Sequence, residues 1–136
     1  MPEYRPPVQV IGGVPVVAAP EEIDMTNAAG LEAAFLEASA LGHDTYVVDM
    51  SGTEFCDSAG VHALVQAHKR FRSEGGEMLL VVSSTTVLRV FAIIGIDQLI
   101  PGFPTLEEAL AFSSATPSAR TSPALTAPEA NPPSPS

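Results

Sequence analysis

A chain of 136 residues, 46% of them hydrophobic, has enough apolar surface for one compact core and too little length for two. Its formal net charge of -10 sets the surface against phosphate backbones and anionic lipids, which argues against nucleic acid and bare membrane as partners and for a basic protein surface. Cys56 stands alone, the first ten residues lack the basic start and apolar run of a signal peptide, and no apolar stretch approaches the ~20 residues of a membrane span. A cytoplasmic protein is expected.

In chain order, Val8 to Ile11 and Val14 to Ala18 are Val-rich runs around Gly12-Gly13, the pattern of a hairpin with a glycine turn, with Pro15 marking an edge strand. Thr26 is placed to N-cap a helix whose apolar face is Leu31, Ala34, Phe35, Ala38 and Leu41, ended by Gly42. Thr45 to Met50 is apolar without alternation, as in a central strand covered on both faces, and it delivers Asp49 to the carboxyl edge of the sheet. From Ser58, read as an N-cap with its hydroxyl exposed, a second helix runs to about Ser73, with Val61, Leu64, Val65 and Phe71 at helical spacing. Gly75-Gly76 leads into a strand over Met78 to Val82, and Ser83 or Ser84 caps a helix bearing Val87, Val90, Phe91 and Ile94, stopped by Gly95. A short strand over Gln98 to Ile100 and a helix opened by a Thr105–Glu108 capping box complete the domain.

The boundaries that follow are an N-terminal extension over 1-7, a single domain over 8-113 and a disordered tail over 114-136. The tail holds six of the thirteen prolines and almost nothing to bury. A hairpin followed by alternating strands and helices makes an α/β fold with a mixed, mainly parallel sheet, whose functional residues gather beyond the carboxyl ends of the strands. That edge carries the loop from Asp49 to Ser58, with Asp24 beside it.

With those residues placed, the chain resembles the STAS domains of the anti-sigma factor antagonist family. The resemblance rests on E-I-D at Glu22 to Asp24, V-V-D-M-S-G at Val47 to Gly52, F-C-D-S-A-G at Phe55 to Gly60 and E-G-G-E-M at Glu74 to Met78. It implies a STAS-type sheet and a bacterial partner-switching role without enzymatic activity. In that picture the unphosphorylated protein binds an anti-sigma factor that is also a GHKL-type serine kinase and frees the sigma factor. Phosphorylation of Ser58 then weakens the complex, and a phosphoserine phosphatase resets it. Asp24, Asp57, Ser58, Ala59, Gly60 and His62 are the partner-binding residues the resemblance implies. His62 departs from the small residue usual at its position, and it is expected to be exposed and to narrow partner choice.

Other readings of the same residues stand beside this one. Ser58 alone is a helix cap, Asp57 a flanking acid or a solvated loop carboxylate, and Asp24 a partner contact or a turn residue. Asp49 reads as a strand-end carboxylate satisfied by loop N–H groups near Gly52. Cys56, His62 and His68 are too sparse for a zinc site and read as structural rather than nucleophilic. No phosphate-binding glycine motif is present, so no cofactor is expected and any ATP comes with the partner. A free-standing subunit of a transport or signalling scaffold that binds a nucleotide or lipid is the alternative function.

Overall fold

The computed structural model describes residues 5–115; the tail expected beyond that point lies outside the described residues, as do residues 1–4. Strands β1 (Val8–Ile11) and β2 (Val14–Ala18) form the hairpin, and Gly12 and Gly13 take φ of 59° and 82°, the left-handed pair that a two-residue turn between twisted strands requires. Pro15 does not mark an edge: β1 is the outer strand and β2 lies second, beside β4 (Thr45–Met50). Ala18 donates its N–H to Pro7 on the β1 side, so the nitrogen of Pro15, an odd number of residues away, faces β4, where pairing begins only at Val16. The missing donor therefore breaks no ladder bond.

After β3 (Glu22–Ile23), helix α1 (Ala28–Ser39) buries Ala28, Leu31, Ala34, Phe35 and Ala38. Leu41, expected on that face, is 47% exposed because the helix has already ended. Thr26 is not the N-cap either. Asn27 holds the cap position, and the N–H and hydroxyl of Thr26 both donate to Oδ1 of Asp24. The aspartate reaches two residues ahead and claims the threonine before the helix can use it.

Next come β5 (Phe55–Cys56), α2 (Ser58–Ser73) and β6 (Glu77–Val82), followed by α3 (Thr85–Ile94), in which Oγ of Ser84 accepts the Val87 N–H. Gly95 ends α3 at φ 98°, as its position predicts. Val87 and Phe91 are buried, whereas Ile94 is half exposed, because the chain turns away there and burial passes to Ile96. The expected strand over Gln98 to Ile100 is replaced by a helical turn, α4 (Ile96–Leu99), in which Ile100 donates its N–H to the Ile96 carbonyl. Ile96 and Ile100, four residues apart, are buried together, and the strand role passes to β7 (Gly102–Phe103). Thr105 then caps α5 (Leu106–Ala115) by accepting the Glu108 N–H at 3.2 Å.

The sheet runs β1-β2-β4-β6-β7, antiparallel only between β1 and β2, so the architecture is the mixed, mainly parallel α/β fold expected. Its two central strands are apolar apart from Thr45, Asp49 and Glu77, because both faces are covered. Tyr46, Val48 and Met50 of β4, with Met78, Leu80 and Val82 of β6, pack under α1, α2 and α3. Val47, Leu79 and Val81 point the opposite way and meet Ala109 of α5.

His68 of α2 is buried as well, and its Nδ1 has no hydrogen-bond partner among the described residues. Burial first, then the cations Arg72 and Lys69, hold its pKa below the ordinary value of 6.5. The unfolded chain therefore takes up this proton at a higher pH than the folded chain. Stability is full above about pH 6.5 and falls as pH drops below it, by at most about 1.4 kcal/mol per pH unit from this group. Urea unfolding between pH 7 and pH 5 is expected to show this slope in the wild type, and a flatter profile in His68→Leu.

Candidate functional site

The strand-to-helix loop after β4 is held down before it reaches Ser58. Oδ1 of Asp49 accepts the Ser51 N–H at 3.0 Å, which gives that carboxylate the structural role its position suggests. Thr53 is fully buried, donates its N–H to Met50 and its hydroxyl to the Pro20 carbonyl at 2.7 Å. Sequence reasoning missed Thr53, because its partner lies thirty-three residues away and nothing local marks it.

Past Thr53 the loop pairs with the segment that follows β2. Strands β3 and β5 form a two-stranded parallel ladder, Glu22 opposite Phe55 and Ile23 opposite Cys56. The N–H of Glu54 donates to Glu21 and that of Asp57 to Ile23, at 2.7 and 3.0 Å. Asp24 directly follows Ile23, so the ladder sets the Asp24 turn beside the start of α2. This pair was not expected from sequence, since two residues per strand carry no periodicity to read.

The start of α2 corrects the reading of Ser58. Asp57, not Ser58, is the N-cap: its backbone is extended, and its Oδ1 accepts the N–H groups of Ala59 at 2.9 Å and Gly60 at 3.1 Å. Ser58 is the first helical residue, exposed, and its hydroxyl makes no hydrogen bond with any described residue. The carboxylate has taken over the capping that a serine would otherwise do. Asp57→Ala is expected to lower stability by about 1–2 kcal/mol and Asp57→Ser by much less, measured by urea unfolding.

Beneath Ser58 the contacts are tight. A Cβ on Gly60 would meet Cγ2 of Ile23 at 2.6 Å and Sγ of Cys56 at 2.7 Å, so glycine lets α2 sit directly on the β3–β5 ladder. Cys56 is buried, and burial followed by the Asp57 charge pushes its thiol up to about 12, which makes it a packing residue rather than a nucleophile.

Asp24 takes the turn role, its carboxyl held below the usual value by the Thr26 hydroxyl first and the Thr26 N–H second. Asn27 locks the same turn, accepting the Asp24 N–H and donating to the Glu22 carbonyl at 2.7 Å. Glu21, Glu22 and Glu54 are exposed around it, so the rim of Ser58 is acidic. His62 is exposed one turn further along α2, where it lines the groove against α1. Among the described residues no group of three or more His, Cys, Asp and Glu could hold a metal ion, and no helix is long and apolar enough to cross a membrane.

The chain is similar to known proteins over most of its length. An anti-sigma-F factor antagonist, RsfB of Mycobacterium tuberculosis, is 31% identical over 98 residues, 72% of this chain and 80% of that one. The crystal structure of an anti-sigma factor antagonist from Mycobacterium paratuberculosis superposes with a TM-score of 0.72 at 32% identity, covering 79% of this chain and 91% of that chain. A domain protein from Planctomyces limnophilus, 24% identical, shares the fold at a TM-score of 0.71 over 79% of this chain and 96% of its own. Residues 5–109, which include every strand and both loops of the acidic edge, match the STAS domain, and the chain belongs to that family.

Proposed function

We propose that this protein is an anti-sigma factor antagonist whose binding is switched at Ser58. The unphosphorylated edge formed by Asp24, Asp57, Ser58, Ala59, Gly60 and His62 docks on an anti-sigma factor that is also a GHKL-type serine kinase, and the sigma factor is released. Phosphate on Ser58 turns the docking off, and a phosphoserine phosphatase restores it. The protein itself catalyses nothing in this cycle.

The observation that carries the reading is the division of labour between Asp57 and Ser58. A serine serving as the helix cap would have its hydroxyl engaged with backbone N–H groups. Here Asp57 does that work, and Ser58 presents a free, exposed hydroxyl at a helix start. The similarity to RsfB over 80% of that protein's length supports the class of partner.

The test is to incubate the full chain with the anti-sigma kinase and ATP and to locate phosphate by mass spectrometry. One phosphate on Ser58, absent in Ser58→Ala, is the expected result. Phosphate on Ser51 or Thr53 with none on Ser58 would overturn the assignment. Thr53 is the sharper control, because its hydroxyl is buried and already bonded to Pro20.

A further inference from the structure

The β3–β5 ladder turns alternate residues to opposite sides. Ile23 and Cys56 face inward, buried against Gly60 of α2, and their neighbours Glu22 and Phe55, paired side by side across the ladder, are exposed. Phe55 is 48% exposed and stands three residues before Ser58. Met25, 79% exposed, lies two residues past β3 in the Asp24 turn. On its other side β5 packs against α3, where Cys56 and Val87 share one buried cluster. Leu88, the residue after Val87, is 45% exposed. A single exposed apolar side chain is ordinary, but three large ones about one short ladder mark a surface that is covered in use.

The ladder is also stiff. Phe55 donates its N–H to Glu21 at 3.3 Å and Asp57 donates to Ile23 at 3.0 Å, so both ends of β5 are held. A side chain displayed from so fixed a backbone leaves less freedom to be lost when a partner covers it. Around it stand Glu21, Glu22 and Glu54, all exposed and none in an ion pair among the described residues. An apolar centre with a charged rim is the anatomy of a protein docking surface, and the sign of the rim states the chemistry of its partner.

On the strength of the function proposed above, we propose that Phe55, with Met25 and Leu88, is the apolar anchor that holds the anti-sigma factor, received in a pocket rimmed by Lys or Arg opposite Glu21, Glu22 and Glu54. The docking edge then extends beyond Asp24 and residues 57–62, over the outside of the ladder and on to the first turn of α3. The rim speeds encounter and sets orientation, and burial of Phe55 supplies affinity. Phosphate on Ser58 falls inside the same contact, so the partner meets its charge whenever it seats the anchor.

Binding of the full chain to the anti-sigma kinase of the phosphorylation assay is measured by isothermal titration and by association rate. Phe55→Ala is expected to weaken it about 10- to 30-fold and Met25→Ala and Leu88→Ala about 3- to 10-fold each, with unfolding midpoints unchanged. Phe55→Leu, which keeps an apolar body, should stay within about 3-fold of wild type. Leu41→Ala and Ile93→Ala, at exposed apolar positions where α1 and α3 end on the opposite edge of the sheet, should stay within about twofold. Glu22→Gln combined with Glu54→Gln should slow association about 5-fold at about 0.1 M salt, and the gap should close at about 0.5 M. Phe55→Ala binding within about twofold of wild type, or equal losses in Leu41→Ala and Ile93→Ala, overturns the anchor and leaves the proposed function standing. Wild-type protein that neither binds the kinase nor takes phosphate on Ser58 overturns that function, and the anchor with it.

Discussion

Gly60→Val is expected to lower the unfolding free energy by about 3 kcal/mol, the upper end of what overpacking costs in a well-filled core. The new Cβ would overlap Ile23 and Cys56 by more than an ångström against ordinary contact, and neither side chain has room to withdraw, since both are buried. The branch on valine adds a second methyl in the same confined space and stiffens χ1 in the helix. Gly60→Ala is the milder case: it keeps the shorter overlap and gains up to about 1 kcal/mol of helix propensity, so its net loss is about 1–2 kcal/mol. Cys56→Ala removes the sulfur at 2.7 Å, so the Gly60→Ala loss should be smaller in that background by at least about 0.5 kcal/mol. Urea unfolding of the four proteins in this double-mutant cycle measures the coupling; strict additivity would mean that the crowding is relieved elsewhere. The same variants should bind an anti-sigma partner less well, because α2 can relieve the overlap only by lifting Ser58 off the β3–β5 ladder.

The Gly60 contacts show where sequence reading reaches its limit. Long central strands such as Thr45 to Met50 were legible because continuous apolar residues leave few alternatives, and Gly95 was legible as a stop because the αL position selects glycine. The sequence pattern places the cap of α2 at Ser58, one residue past Asp57. Asp and Ser are nearly equal as N-caps, so the pair Asp57-Ser58 offers two solutions locally. The choice is made at long range, where the Asp57 N–H donates to Ile23 and pins that residue in extended geometry. Gln98 to Ile100 failed for a related reason: a short apolar run suits strand or helix equally, and only the joint burial of Ile96 and Ile100 decides for the helical turn. The family motifs found the serine, but they did not say what holds it. The structure adds the β3–β5 ladder, Thr53 and Asn27, each of which depends on a partner distant in sequence or on a turn that two residues could have formed.

Ser58→Asp is expected to weaken binding to the anti-sigma kinase by about 10- to 100-fold, or about 1.4–2.7 kcal/mol, while leaving the domain folded. The physical reason follows from who occupies the helix N-terminus. A negative charge at the start of a helix is ordinarily welcome, because free N–H groups and the dipole receive it. In this helix the Asp57 carboxylate already holds the N–H groups of Ala59 and Gly60. A new carboxylate, or a phosphate of about -1.5 to -2 charge, must stand outward beside Asp57, with Asp24 and Glu54 on the adjoining segments. The dipole's gain of at most about 1 kcal/mol is then opposed by like charge, so the change in unfolding free energy should stay within about 0.5 kcal/mol. The outward charge falls on the partner instead. Ser58→Asn, with similar size and no charge, separates the two causes: it should keep affinity within about threefold of wild type if charge is what ejects the partner. Raising the salt from 0.1 to 0.5 M should shrink the gap between the aspartate and asparagine variants, because exposed charges are screened over a shorter distance. Equal losses in both variants would make bulk the cause, and wild-type affinity in Ser58→Asp would remove charge from the account of release altogether.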